Sequence, residues 1–208
     1  YQHVSDTVSA SVENAVDILQ RDLDGTISSS LNISYVTTIR NAYSQYQKDD
    51  NVLEFHNVVN GYLTQEYTRN PMIASAHMVF PGIESNSTYF PNRTITVYNH
   101  SITNYADARA FYSDGGLEST LAMFPNLDTD IAFVQTEGRL YQVRQLTLLQ
   151  NRLTPYAILV MEINLPELYK SLQSLPWLSD ATITLNGGQA TLVPFGTRID
   201  EPTSCPLY

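Results

Sequence analysis

The sequence predicts an α+β fold, with a helical first third followed by an antiparallel sheet. Three observations carry this. Apolar residues recur every three or four positions from Val8 to Leu31, the period of one stripe along a helix. At Asn70-Pro71 the helical period stops, because proline disfavours helix in the residue before it, and extended, mostly apolar chain follows. Strand-like runs on either side of Thr136-Glu137-Gly138-Arg139, and then Tyr156 to Ile163, read as a three-stranded meander.

Taken in order, the first element is a helix from Val4 to Leu31 with Val8, Val12, Val16, Leu19, Leu23, Ile27 and Leu31 on its buried stripe. Gly25 weakens it by about 1 kcal/mol relative to Ala, which a packed stripe can absorb. A second helix sets Tyr35, Val36, Ile39, Tyr43 and Tyr46 on one face and closes at Lys48-Asp49-Asp50-Asn51. A third, Val52 to Tyr67, is expected to bury Leu53, Phe55, Val59, Tyr62 and Leu63. Strands are expected over Met72 to Phe80, Thr88 to Phe90, and Thr94 to Tyr98, where Ile95 and Val97 alternate with Thr96 and Tyr98. Asn104 is a helix N-cap for a short helix carrying Ala106, Ala110 and Phe111, stopped by Asp114-Gly115-Gly116, and Leu117 to Phe124 adds another turn or two.

The meander comprises Ile131 to Gln135, Leu140 to Leu149 and Tyr156 to Ile163, with Gly138 in the first turn and Asn151 to Pro155 as the second. Pro166 opens a connecting helix with Leu168, Leu172 and Leu175, ending at Pro176. A final hairpin pairs Ala181 to Leu185 with Ala190 to Phe195 across Asn186-Gly187-Gly188, and the tail from Glu201 has no periodicity and is expected to fray. These elements group as helical segments over 1–69, a sheet core over 70–175, and a hairpin and tail over 176–208.

Composition narrows the function. Eleven basic residues stand against 21 acidic ones, a net charge of −10, and no basic run occurs, which argues against nucleic acid and against an anionic membrane face as partners. Polarity comes largely from Ser, Thr, Asn, Gln and Tyr, and the only lysines are Lys48 and Lys170, a balance that suits an exported chain. Cys205 is the single cysteine, so an internal disulfide is impossible, and an extracytoplasmic protein of this kind suits a bacterial surface. Four Asn-X-Ser/Thr triplets, at Asn32, Asn86, Asn92 and Asn99, read as coincidence in a chain this rich in those residues. No run approaches the roughly 18 apolar residues of a membrane span, and Tyr1-Gln2-His3-Val4 is neither a signal peptide nor a start, so a segment of a larger, anchored protein is expected.

Catalytic signatures are missing: the sequence has no Walker loop, GxGxxG, HExxH or GxSxG. His3, His56, His77 and His100 lack metal-ligand spacing, and Asp128 with Asp130 reads as a solvated strand entrance rather than a calcium loop, so neither metal nor cofactor is expected. The 14 tyrosines are the standout, because a phenol combines rigid apolar area with a hydroxyl suited to pockets for small polar ligands. Arg144 alternates onto one face with Leu140, Gln142, Leu146 and Leu148. On so apolar a face its guanidinium needs a partner, and an internal carboxylate such as Glu162, or solvent exposure, is favoured over an incoming anion.

The order of elements, with Leu140-Tyr-Gln-Val-Arg144 and Tyr156-Ala-Ile-Leu-Val-Met-Glu-Ile163 in the closing meander, resembles the extracytoplasmic Cache-type sensor domain of bacterial YesM-like sensor histidine kinases. Ala157 to Tyr169 is similar to that family's last core strand running into its exit helix. The resemblance implies a PAS-like sheet under a helical cap, set outside the cell between two membrane spans. It implies a small-molecule ligand held between the sheet and the crossing segment at about 84–127, homodimerisation through the N-terminal helix, and no catalysis in this chain. The kinase module lies elsewhere. On that pattern Tyr98, Tyr112, Phe133, Tyr141 and Arg144 are the nominated ligand-binding residues, although Tyr141 and Arg144 alternate to opposite faces of a regular strand. The same fold in a chemotaxis receptor, or a secreted or surface hydrolase using a carboxylate pair or serine, are the rival readings.

Overall fold

The computed structural model describes residues 2–83, 88–123, 131–136, 138–149, 153–172, 182–185, 190–192 and 204–206. Helix α1 (Gln2–Tyr35) runs for 34 residues, about 50 Å at a rise of 1.5 Å per residue. Its buried line is Ala15, Leu19, Leu23, Thr26, Ser30 and Ile33. Of the expected stripe only Leu19 and Leu23 are buried: Val8 is exposed, Val12, Val16, Ile27 and Leu31 are partly buried, and past Leu23 the buried line passes one position early, onto two hydroxyl residues.

Helices α2 (Thr37–Asp49) and α3 (Val52–Tyr67) form a hairpin that turns at Asp50, which adopts a left-handed φ of 54°. Asn51 caps α3: its Oδ1 accepts from the Glu54 amide at 3.2 Å while its Nδ2 donates to the Glu54 carboxylate at 2.9 Å. Ile39, Tyr43, Phe55, Val59, Leu63 and Tyr67 face the core. Tyr35 and Leu53, expected inside, are 75% and 48% exposed: Tyr35 ends α1 where the chain turns, and Leu53 sits on the outer side of the first turn of α3.

The strands β1 (Ile73–Val79), β2 (Thr94–Tyr98), β3 (Ile131–Thr136), β4 (Arg139–Leu149) and β5 (Leu153–Ile163) form one antiparallel sheet in the order β2-β1-β5-β4-β3, consistent with a PAS-like fold. The β3–β4 turn passes through Gly138 at φ 80°, a conformation that favours glycine. Thr88 to Phe90 is a turn rather than the expected strand. Phe90 is buried against the rings of Phe55 and Phe80, at 5.4 and 5.7 Å, and Pro91–Arg93 makes a 3-10 turn with Asn92 at φ 54°. Packing that ring into the helical core competes with strand pairing, and packing prevails. Asn99 is buried and its amide is committed to a turn, donating to Asn70 O at 3.2 Å and accepting from Ser101 N at 3.0 Å.

Both faces of the sheet are covered, so each strand divides its side chains by alternation. Ala76, Met78, Ile95, Val97, Leu146, Leu148, Ala157, Leu159 and Met161 meet α2 and α3, and Phe133, Leu140 and Ile163 meet α1 and α6 (Leu165–Lys170). Val79, Tyr141, Val143, Ile158 and Val160 meet α4 (Tyr105–Ser113) and α5 (Gly116–Met123) on the other side. Asn104 caps α4 as expected, accepting from the Asp107 amide at 3.0 Å, but the helix buries Ala108 and Phe111 while Ala106 faces solvent.

A second sheet pairs β6 (Thr182–Leu185) with β7 (Ala190–Leu192) antiparallel, as the hairpin reading expected. Within the tail expected to fray, β8 (Ser204–Pro206) adds to β6 in parallel, with Cys205 opposite Ile183, and the rest of the tail lies outside the described residues. Backbone pairing to an exposed edge needs no side-chain periodicity, which is why the sequence pattern missed it. Leu175, Pro176, Ala181, residues 186–188 and 193–195, Asp128, Asp130, Asn151 and Arg152 lie outside the described residues. No described helix is long and apolar enough to cross a membrane.

Candidate functional site

The sheet face under α4 and α5 has an apolar floor and one continuous polar line across it. Strand alternation sets Thr96 on β2, Ser75 and His77 on β1, and Glu162 on β5 to this side, and the register places Ser75 opposite Glu162 and His77 opposite Thr96. Arg139 Nη1 lies 2.6 Å from Glu162 Oε1, and its Nε lies 3.5 Å from Asp114 Oδ2 at the end of α4. The line therefore crosses four strands and returns to the covering helix.

Its hydrogens can be assigned from the inventory of donors and acceptors. Glu162, paired with Arg139, only accepts, so the Ser75 hydroxyl donates to Oε2 at 2.8 Å. The Ser75 oxygen then accepts from His77 Nε2–H at 2.9 Å. Nδ1 is the bare nitrogen of that tautomer and accepts from the Thr96 hydroxyl at 2.9 Å, and Thr96 in turn accepts from the Tyr112 hydroxyl at 2.5 Å. Burial, and secondarily the charge of Arg139, push the His77 imidazole down to about 3, so the ring is neutral near pH 7. It also stacks on Phe111, with 4.0 Å between ring centres.

Among the described residues, three hydroxyls on this side of the sheet have no hydrogen-bond partner: Tyr141 Oη, on a fully buried residue, Thr120 Oγ1 on α5, and Thr136 Oγ1 at the end of β3. Burial, reinforced by the nearby Glu162 charge, drives the Tyr141 phenol well above its ordinary value, so it remains a donor. A buried donor without an acceptor costs free energy that a polar ligand atom or water would recover.

The outer end of the line opens into a cavity of about 280 Å³ at the β2 edge of the sheet. Tyr112 and Thr96 belong to both. Tyr89 and His56 form another wall, with the His56 Nδ1 buried and without a partner, and Arg109 stands over the Tyr105 ring at 5.4 Å with Nη1 donating to the Tyr105 hydroxyl at 2.9 Å. Aromatic faces, hydroxyls and one guanidinium suit a small polar molecule with an anionic group. A larger hollow of about 410 Å³ between α2 and α3 is a weaker candidate, because its polar side chains satisfy one another: Gln45 donates to Asp49 at 2.8 Å and Asn51 to Glu54 at 2.9 Å.

Of the five nominated residues, Tyr98, Tyr112 and Tyr141 belong to the α4 side. Tyr98 meets His100 and Tyr105, whereas Tyr112 and Tyr141 flank Phe111, each at 5.4 Å between ring centres. Phe133 and Arg144 are on the opposite face, Phe133 against Leu19 and Leu23 of α1, Arg144 donating from Nε to Ser30 Oγ at 2.9 Å. The five cannot line one cavity. Nor does Glu162 serve Arg144, as the sequence suggested: odd and even offsets along paired strands put them on opposite faces, and Glu162 takes Arg139 instead. Ser75, His77, Arg139, Asp114 and Thr96 were not anticipated, and only the strand register would have joined them. Among the described residues, no three His, Cys, Asp or Glu side chains come together as a metal site.

The fold and this polar, helix-covered face define an α+β domain with a PAS-like sheet. No family model matches the sequence, and no curated protein matches it.

Proposed function

We propose that this chain is a ligand-sensing domain, the extracytoplasmic part of a membrane-bound two-component sensor histidine kinase, with no catalysis of its own. The single observation that carries the reading is the junction of the 280 Å³ cavity with the buried hydrogen-bonded line at Tyr112 and Thr96. A ligand that takes the Tyr112 hydrogen, or offers it one, changes the partner available to Thr96. His77 can exchange tautomers and Ser75 can turn its hydrogen from Glu162 to His77, so the change reaches Glu162, which then accepts from Arg139 alone. The far face of that sheet holds α1 through Gln142 and Arg144. In the proposed receptor, α1 pairs with its copy in a homodimer and carries the shift towards the membrane.

Thermal-shift screening of the chain against amino acids, carboxylates, sugars and short peptides tests this. A saturable rise in Tm without turnover, abolished by Tyr112→Phe or Arg109→Gln, is the expected result. Turnover of any hit, or hits indifferent to both substitutions, overturns the reading.

A further inference from the structure

Strand β2 ends the five-stranded sheet on its side and pairs with β1 alone. Phe80 N–H donates to Arg93 O at 2.8 Å and Asn99 N–H to Ala74 O at 2.9 Å, one residue beyond either end of β2. Alternation between those two points gives the bonds with β1 to Ile95 and Val97. The backbone N–H and C=O of Thr96 and Tyr98 therefore point away from the sheet, and among the described residues no backbone group pairs with them. Thr94 faces outward too, but its N–H is taken by Pro91 O. The run Thr-Ile-Thr-Val-Tyr carries neither a charge nor a proline, two devices that commonly shield such an edge. The 280 Å³ cavity lies along this edge at Thr94, Ile95 and Thr96. Its walls stand on both sides of the sheet: His56 and Asn60 come from α3 on one face, and Tyr105, Arg109 and Tyr112 from α4 on the other.

We propose that β2 takes up a short extended peptide as a sixth strand, with an acidic side chain of the peptide at Arg109. This rests on the reading of the Tyr112 cavity as the ligand site and gives that ligand a chemical class. Two outward donor and acceptor pairs, one strand repeat apart, match the backbone of an extended chain. Side chains of an added strand alternate between the two walls. Those on the α4 side meet Arg109, the one Arg, Lys, Asp or Glu among the described lining residues, which the Tyr105 hydroxyl holds at 2.9 Å. Those on the α3 side meet the buried Nδ1 of His56, which has no partner. A second copy of this chain is the poorer occupant: pairing β2 with β2 brings a second pair of helix walls and a second Arg109 to the same edge, whereas a lone strand enters between the walls. A peptide bonded to the Thr96 backbone acts on the residue whose side chain joins Tyr112 to the buried line.

The test uses the whole chain, with thermal shift and calorimetry against a pool of acetylated, amidated pentapeptides that carry Glu at the middle position and are varied at the others. Saturable binding by members of the pool is expected, about tenfold weaker when Gln replaces the Glu, and Arg109→Gln should abolish that difference. N-methylation of the best peptide, one residue at a time, should weaken it about tenfold at alternate residues only, because every second N–H faces β2. No binding by any member of the pool overturns the proposal, as does N-methylation without that alternation. Peptide binding that is lost as the chain self-associates at higher concentration puts a second copy on the edge and also overturns it. A Tyr112-dependent response to amino acids, carboxylates or sugars, with none to peptides, sinks this proposal and leaves the sensing function standing; no response to any of them sinks both.

Discussion

Arg139 Nη1 donates to Glu162 Oε1 over 2.6 Å, and the direction of each hydrogen bond from Glu162 back to Tyr112 follows from that pair. With the cation present, Glu162 is an acceptor for Ser75, which makes Ser75 an acceptor for His77 and fixes the tautomer. Without it, a carboxylate with 8% side-chain exposure keeps only the serine. Removing one member of a largely buried pair costs more than the pair contributes, because the remaining charge stays desolvated. Arg139 is 24% exposed, so part of that cost is relieved by water.

Arg139→Met is therefore expected to destabilise the fold by about 2 kcal/mol, read from urea unfolding midpoints. The double variant Arg139→Met with Glu162→Gln should recover at least half of the loss. A neutral single variant would show that solvent already screens the pair.

The pH dependence of stability should carry the signature of His77. In the unfolded chain the imidazole takes up its proton near 6.5, in the folded protein only near 3. Between those values the unfolded state binds more protons, so this contribution is complete above pH 6.5 and is lost as the pH falls through the window, at up to about 1.4 kcal/mol per unit. Compared at pH 7 and pH 5, the wild type should lose roughly 2 kcal/mol more than His77→Gln, which has no proton to gain. Nitrogen shifts of the ring should also report a protonated Nε2 and a bare Nδ1 at pH 5; a charged imidazolium there would refute the assignment.

Tyr112→Phe and Tyr141→Phe remove the same atom with different consequences. The Tyr112 hydroxyl is bonded to Thr96, so its loss should cost about 1 kcal/mol. The Tyr141 hydroxyl is buried without a partner, so its removal should leave the free protein unchanged or up to about 1 kcal/mol more stable. If a ligand engages Tyr141, the sign reverses in its presence, and unfolding with and without ligand separates the two cases.

Much of this architecture was legible in local pattern. The alternation Leu140, Gln142, Arg144 assigned one face of β4 correctly, Asn104 announced its helix, and Gly138 marked the hairpin, because each signal is set by neighbours within a few residues. The polar line was not legible: Ser75 and His77 read as isolated interruptions of an apolar run, and Ser75 meets its partner Glu162 at a separation of 87 residues, which only the strand register decides. The buried line of α1 was missed for a different reason. Past Leu23 it continues on Thr26 and Ser30, which a hydrophobic period cannot see because their burial is stabilised by hydrogen bonds to Gln142 and Arg144.

That contact makes Ser30 a sensitive polar position of α1. Its Oγ accepts from Gln142 Nε2 at 2.7 Å and from Arg144 Nε at 2.9 Å while donating to Ile27 O at 2.8 Å. Ser30→Ala removes a shared acceptor from two buried donors and should cost about 2 kcal/mol by urea unfolding. Thr26→Val, which removes a single donor to Gln142 Oε1 and keeps the shape, should cost less, near 1 kcal/mol. Equal costs would mean that Ser30 is held by packing alone.

Two glycines in helices should respond with opposite signs to the same substitution. A Cβ on Gly25 of α1 meets nothing within 4 Å, so Gly25→Ala gains helix propensity without a clash and should stabilise by about 1 kcal/mol. At Gly116, the first residue of α5, a Cβ would lie 2.7 Å from Phe111 Cδ2 and 2.9 Å from the Phe111 carbonyl oxygen. The ring is fully buried against His77 and Tyr141, and the carbonyl belongs to the backbone of α4, so neither yields easily. Gly116→Ala should therefore destabilise by about 1–3 kcal/mol, the range for overpacking. Because Phe111 stacks on His77, the variant should also shift the imidazole signals in NMR spectra, whereas Gly25→Ala should leave them in place. A stable Gly116→Ala with unmoved His77 signals would show that α5 can slide away from Phe111, and with it that the cover over the polar line is looser than its packing implies.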